Sequence, residues 1–152
     1  MKKTLYLLLI VYCLLFIAPS VRADYVLPYP SYMPGNKLYR VTRIIDKLKN
    51  YWYFGEIGQA KYHLGLADKY LVEAKTLFEY RQYLLAVDAL QRSDDEFKKV
   101  PKNLDAAEKH IEVLTQLLSI VPDAFTWTSE KAEATQLPLK NLLEASIRLR
   151  QL

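Results

Sequence analysis

The apolar residues beyond residue 36 recur at spacings of three and four, and this repeat constrains the fold more than any other feature of the sequence. In the segment 104–121 the apolar positions are Leu104, Ala107, Ile111, Leu114, Leu118 and Val121. Such spacing places side chains on one face of an α-helix, whereas a half-buried strand alternates with a period of two. No segment after residue 36 shows the period-two alternation of a strand. The sequence therefore predicts an all-α fold, a small bundle or array of four to five helices without a sheet.

Prolines and glycines set the ends of the predicted helices. The helices are expected at residues 38–54 and 59–80, from 83 to a stop at Pro101, at 104–121 and from about 138 onward, with a short or kinked piece near 124–136. We interpret Gly55 to Gly58 as a turn between the first two helices. The aromatic run 51–54 could form a stacking surface, but aromatic residues at the end of an amphipathic helix favour packing in the core or at a helix junction.

Residues 24–36 form a proline- and tyrosine-rich segment that precedes the helices. Pro28, Pro30 and Pro34 each restrict the residue before them to extended geometry, which predicts an extended arm. A turn at 34–36 should lead into a helix N-cap at Asn36. We expect the arm to dock along the helical core through its tyrosines and Leu27, in preference to acting as a peptide-type ligand motif. Residues 37–152 are expected to form a single helical domain.

The first 23 residues have the pattern of a secretory signal peptide. Lys2 and Lys3 precede an apolar run from 5 to 18, and small residues stand at 21 and 23. The run is shorter than the roughly 20 residues of a spanning helix. Lipid attachment at Cys13 is disfavoured because Tyr12 precedes it. Cleavage after Ala23 and an extracytoplasmic location are expected (periplasmic, cell-envelope or secreted); the alternative is a retained anchor that keeps the protein at the membrane.

Loss of the signal peptide would change both charge and redox chemistry. Lys2, Lys3 and Arg22 are its charged residues, so the formal net charge would fall from +4 to +1. Acidic and basic residues are interspersed in the remainder, which argues against nucleic acid as a partner. The single cysteine would also leave, so no disulfide could form and helix packing alone would stabilise the domain.

Two resemblances follow from particular motifs. The segment 70–93 resembles a single tetratricopeptide-type helical hairpin, with small residues at Ala74 and Ala86 where two helices would approach closely. The order of motifs at 25–30, 33–36, 38–39 and 67–74 is similar to a bacterial extracytoplasmic family of unknown function. Members of that family carry a proline-rich arm followed by a helical hairpin. The second resemblance implies location and helical architecture but no activity.

The sequence offers little catalytic or metal-binding chemistry. His63 and His110 lack a second histidine or a cysteine at metal-ligand spacing, and both are expected on partly exposed helix surfaces. The acids at 94–96, 108 and 112 have lysines within one turn, which indicates a solvated surface with Asp94 paired to Lys98 and Asp95 to Lys99. We therefore predict no catalytic residue, no cofactor and no metal.

Three classes of function remain, and they are ranked here in order of preference. The first is a non-catalytic interaction or scaffold domain with a protein partner in the cell envelope, for which Tyr70 and Arg81 are the candidate partner-facing residues. A membrane-proximal structural element ranks second, although no basic amphipathic face was apparent. An enzyme with an unrecognised site ranks third, because scattered acids and tyrosines can converge in a fold.

Overall fold

The computed structural model describes residues 24–128 and 134–152, and helices dominate this part of the chain. The helices are α1 (Tyr39–Lys49), α2 (Gly55–Glu79), α3 (Tyr83–Phe97), α4 (Leu104–Ile120) and α5 (Leu139–Gln151), with a 3-10 turn at Asn50–Trp52. The predicted all-α fold of four to five helices is confirmed. The predicted signal peptide lies outside the described residues. None of the described helices is both long enough and apolar enough to cross a bilayer.

Two helical pairs build the core. The helices α2 and α3 form a hairpin whose connection is short because Arg81 adopts a φ of 59°, and its amide donates to the carbonyl oxygen of Phe78. The helices α4 and α5 pack on each other and on this hairpin. Fully buried leucines fill the space between the pairs, as does Phe78; the leucines are Leu71, Leu77, Leu90, Leu114, Leu117, Leu139 and Leu143.

The described residues of the segment near 124–136, namely 124–128 and 134–136, are not helical as the sequence predicted, and the expectation of no sheet is also wrong. The segment contains two short antiparallel strands, β1 (Phe125–Trp127) and β2 (Thr135–Leu137). Phe125 packs against Tyr83 with ring centroids 5.1 Å apart, and Leu137 also contacts the core. These contacts hold the ends of a hairpin against the helices, so tertiary packing outweighs the weak local pattern.

The turn predicted at Gly55 to Gly58 is the first turn of α2 instead. Gly55 has a φ of +74°, which a residue with a Cβ rarely adopts. A Cβ on Gly58 would lie 3.2 Å from the carbonyl carbon of Tyr53. The glycines therefore allow the preceding chain to pass close to the start of α2, and they do not interrupt the helix.

The buried face of α4 is rotated from the predicted stripe. Ala107, Leu114 and Val121 are buried as expected, but Leu104 is 63% exposed and Ile111 is only half-buried. The remaining buried positions are Ala106, His110, Val113 and Leu117. The helix packs on both α2 and α5, so its buried surface spans two adjacent faces.

The proline-rich arm runs extended to a turn at residues 34–37 and docks in part. Leu27 and Met33 pack against the core, and the Tyr25 hydroxyl donates to Asp68 at 2.6 Å. Tyr29 is 93% exposed, so the arm does not bury all of its tyrosines. The Asn36 side chain accepts from the amide of Leu38 at 2.9 Å, close to its predicted capping role, while α1 itself begins at Tyr39.

Candidate functional site

A network of buried polar side chains joins four helices and the arm. We define the buried polar network as Tyr25, Asp68, Ser93, Asp94, His110, Ser146 and Arg150. His110 lies at its centre with no exposed surface. Its Nε2 is 2.7 Å from Asp68 Oδ1, and its Nδ1 is 3.0 Å from Arg150 Nε. The guanidinium of Arg150 also donates to Asp94 at 2.6 Å and to the Ser93 hydroxyl at 3.0 Å.

The hydrogen bonds determine the protonation state of His110. Arginine can only donate, so Nδ1 must accept from Arg150 and carry no proton. The proton is therefore on Nε2, which donates to Asp68. Burial lowers the pKa of His110 below its usual value of 6.5, in agreement with a neutral imidazole.

The buried polar network resembles the Asp–His part of a catalytic triad, but both ring nitrogens of His110 are hydrogen-bonded within the protein. A general base needs a free nitrogen within hydrogen-bond reach of a substrate proton. In His110 that nitrogen is occupied by Arg150. The nearby Ser93 hydroxyl donates to the Ala67 carbonyl oxygen at 2.8 Å, so it is not activated by the histidine. The arrangement supports a structural role, in which charge-assisted hydrogen bonds fix the relative positions of the helices.

The protonation state of His110 predicts that the protein loses stability on mild acidification. Because the pKa of His110 is lowered in the folded state, the unfolded chain takes up a proton first as the pH falls below about 6.5. The stabilisation is thus complete above that pH and is lost below it, with a slope of up to about 1.4 kcal/mol per pH unit. Urea denaturation between pH 7.5 and 5 measures the slope.

Two variants test the assignment of this slope. The substitution His110→Gln keeps a donor for Asp68 and an acceptor for Arg150 but removes the titrating proton, so the slope should flatten. His63→Gln leaves His110 in place and should retain it. Burial raises the pKa of Glu73 above its usual value of 4.5. The folded protein therefore binds a proton at this carboxyl before the unfolded chain does, and at pH values near 4.5 this opposes the loss of stability caused by His110. An equally steep slope in His110→Gln would contradict the assignment.

The structure corrects three expectations about titratable groups. His110 is wholly buried instead of lying on a helix surface. Asp94 pairs with Arg150 and accepts from the Ser146 hydroxyl at 2.6 Å, so it does not pair with Lys98. Lys98 and Lys99 contact Asp95 and Glu96 at i, i+3 spacing. His63 is partly exposed as predicted, with Glu96 2.6 Å from its Nδ1.

The polar side of α1 contacts the rest of the domain. The Tyr39 hydroxyl donates to Glu73 Oε1 at 2.7 Å and accepts from Arg92 at 2.9 Å. Asp46 is only 7% exposed and pairs with Lys69 of α2. Polar contacts therefore replace the apolar packing that usually attaches an amphipathic helix.

One oxygen of Glu73 has no partner at this junction. Within the described residues, Oε2 is the buried side-chain oxygen that lacks a hydrogen bond. Such a group costs free energy when it is ionised, and burial accordingly raises the pKa of Glu73.

The apolar side of α1 and the residues after it face away from the domain. We define the outward face as Leu38, Val41, Ile44, Leu48, Tyr51, Trp52, Phe54 and Ile57. Ile44 is 60% exposed, Trp52 75% and Phe54 83%. The expectation that the aromatic run 51–54 packs in the core is therefore wrong for Tyr51, Trp52 and Phe54. A contiguous exposed apolar surface of this size is uncommon on a globular domain.

The two candidate partner-facing residues lie apart from the outward face. Tyr70 is only 7% exposed, and burial raises its pKa to about 12. Its side chain belongs to the packed interior, so it offers a partner little surface. Arg81 lies exposed in the α2–α3 connection. A binding role for Arg81 stays a prediction.

Two open cavities flank these features. One of about 500 Å³ lies between the arm, α1 and α2 and includes Tyr29, Asp46, Lys49 and Lys69 in its lining. Another of about 670 Å³ lies where α3, α4 and α5 meet, and Leu104, Ile111 and Leu149 contribute to its wall. No group of three or more histidine, cysteine or acidic side chains in the described ranges is arranged to hold a metal ion.

The fold and its surfaces define a small helical domain with a closed polar interior and one exposed apolar face. A family model described as "Domain of unknown function (DUF5667)" matches residues 31–124, which is more than half of the chain. The chain therefore belongs to this family, and the resemblance to a family of unknown function is confirmed in that form. The match includes α1 and the outward face, while Tyr25, Ser146 and Arg150 of the buried polar network lie beyond it. No curated protein and no solved structure matches the chain.

Proposed function

We propose that this protein is an extracytoplasmic, non-catalytic interaction domain that binds its partner through the outward face. The observation that carries the proposal is the orientation of α1. Its polar residues contact α2 and α3, while its apolar residues are exposed. Isolated exposed apolar residues are common, but a whole helix face left open is typical of a surface that another molecule covers.

The extracytoplasmic part of the proposal rests on the sequence of residues 1–23. The positive n-region, the apolar run and the small residues before Asp24 support export. The finer resemblance, to extracytoplasmic proteins with a proline-rich arm and a tetratricopeptide-like hairpin, belongs to the same proposal. Mass spectrometry of the N-terminus in the native envelope fraction should find Asp24 first.

An enzyme is the weaker alternative. The histidine with the most catalytic-looking surroundings, His110, has both ring nitrogens occupied and no exposed surface. A substrate would have to displace Arg150 or Asp68 to reach a ring nitrogen. Apart from the Tyr51 hydroxyl, the outward face carries aliphatic and aromatic groups that cannot transfer protons.

The outward face can be made polar without loss of stability. In the double variant Ile44→Ser/Leu48→Ser, the free energy of unfolding should change by no more than about 0.5 kcal/mol per site, because both side chains are largely exposed. The variant should no longer associate with the partner of the outward face in the native envelope. A large drop in the urea midpoint would show instead that these side chains are covered within the protein itself.

Photo-cross-linking locates the contact directly. A benzophenone amino acid at Trp52 should give an adduct with protein or lipid in the native envelope. The same amino acid at Tyr80 is the matched control, because Tyr80 is an aromatic residue of similar exposure (72% against 75%) in the α2–α3 connection. Equal adducts from the two positions, or none from position 52, would contradict the proposed function.

A further inference from the structure

We infer that the partner of the outward face is the surface of a bilayer that contains anionic phospholipid. This inference rests on the proposed function, since it identifies what covers the same face. It is carried by the charges that border the face and by the aromatic side chains at its C-terminal end.

Basic residues border the outward face. The segment 37–49 contains five, Lys37, Arg40, Arg43, Lys47 and Lys49, and a single acid, Asp46. Asp46 is buried and pairs with both Lys69 and Lys49, and Arg43 is half-buried over the Tyr39 ring. The exposed positive charge of the segment therefore lies mainly on Lys37, Arg40 and Lys47. The chain after residue 23 carries a formal charge of only +1, which means that positive charge is concentrated here. The basic amphipathic face, which was not expected from the sequence, is present in α1.

The positions of these charges suit a helix that lies flat on a membrane. At 3.6 residues per turn, Arg40 and Lys47 fall on one edge of the apolar stripe, and Lys49 falls on the other. All three are exposed. Long basic side chains at such edges can reach the phosphate groups while the apolar stripe enters the acyl boundary.

The aromatic residues after α1 fit the same environment. Tyr51, Trp52 and Phe54 are between 73% and 83% exposed, and Ile57 is 88% exposed. Tryptophan and tyrosine are enriched at the boundary between headgroups and hydrocarbon because their rings are apolar with a polar edge. Exposed aromatic residues next to a basic helix therefore favour a lipid surface.

The charge pattern disfavours a second copy of the chain. A twofold contact between two outward faces would bring the basic borders of both copies together. Like charges at close range oppose association. Anionic headgroups instead attract each basic residue near the surface.

Vesicle flotation tests the inference. The probe is large unilamellar vesicles of phosphatidylcholine in which phosphatidylglycerol makes up a third of the lipid, compared with phosphatidylcholine alone. The protein should carry whichever N-terminus the native chain has. It should float with the anionic vesicles at low salt, bind less at high salt and bind weakly to phosphatidylcholine. Emission from Trp52, measured in a Trp127→Phe background, should shift to shorter wavelength on binding.

Matched variants distinguish binding through the outward face from general electrostatic attraction of the protein to anionic vesicles. Arg40→Gln/Lys47→Gln should lower the partition constant roughly thirtyfold, which corresponds to about 2 kcal/mol at 1.4 kcal/mol per tenfold. The control Lys98→Gln/Lys99→Gln removes the same charge from an exposed site on another helix and should change it little. Ile44→Ser/Leu48→Ser should abolish the Trp52 shift.

The outcomes distinguish failure of this inference from failure of the proposed function. Equal losses of vesicle binding in Arg40→Gln/Lys47→Gln and in Lys98→Gln/Lys99→Gln would overturn the lipid inference. The absence of a preference for anionic vesicles would also overturn it. A dimer in light scattering that Ile44→Ser/Leu48→Ser dissociates, without vesicle binding, would also overturn it but leave an interaction domain standing. A face variant that behaves as wild type in vesicle binding, light scattering and native cross-linking would refute both.

Discussion

Replacing Leu114 with aspartate should leave a chain that does not fold cooperatively at 25 °C. Leu114 has no exposed surface and lies in the main core cluster. The substitution removes a buried side chain, which alone costs about 2–5 kcal/mol, and it places a carboxylate among apolar groups without a partner. The sum approaches the whole stability of an ordinary domain. Circular dichroism during urea denaturation should show no native baseline.

Three further variants on α4 make this test specific. Leu114→Ala should still fold, with the free energy of unfolding lowered by about 2–5 kcal/mol. Ile111→Asp should cost less than Leu114→Asp, because Ile111 is half-buried beside an open cavity. Exposed Glu112→Ala should change stability by less than about 0.5 kcal/mol. Similar losses at positions 111, 112 and 114 would show that the helix is not packed as described.

Replacing Arg150 with methionine should produce the second large loss. Methionine preserves much of the side-chain length, but it leaves Asp94 without its cation and His110 Nδ1 without a donor. Arg150 is 4% exposed, and removal of one partner from a buried ion pair typically costs about 3–5 kcal/mol. The urea midpoint should fall at an unchanged m-value.

The neighbouring arginine provides a matched control. Arg148 lies on the same helix but is exposed, so Arg148→Met should change stability by less than about 0.5 kcal/mol. Adding Asp94→Asn to Arg150→Met should recover part of the loss, because the unpaired charge is removed. Equal losses for Arg148→Met and Arg150→Met, or strict additivity in the double variant, would show that the pair contributes no specific energy.

The helices were predictable from the sequence because helical periodicity is a local property. The third helix was expected to begin at Tyr83 and to stop at Pro101, and α3 begins there but ends at Phe97. The prolines near 101 and 138 precede α4 and α5, as expected. The β1–β2 hairpin was missed, since each strand has only three residues and depends on contacts with Tyr83 and the core. A pattern of that length carries too little information to outweigh a helical expectation.

The buried polar network could not be predicted from residue spacing. Asp68 and His110 are 42 residues apart, and His110 and Arg150 are 40 apart. His110 was expected on a partly exposed helix surface, but partners on other helices offset the cost of its burial. A weak signal was present, because His110 lies three positions after Ala107 and four before Leu114, on the apolar side of α4.

The sequence by itself determined the five main helical segments, apart from their exact ends, and which of them are amphipathic. Those properties depend on the spacing of side chains along one segment, and neighbouring segments need not be known. Only the tertiary structure decided which side of each helix is buried. For α4 the buried side is broader than its apolar stripe, because Asp68 and Arg150 satisfy His110. For α1 the buried side is the polar one, because Glu73, Arg92 and Lys69 meet it with matching hydrogen bonds and charge.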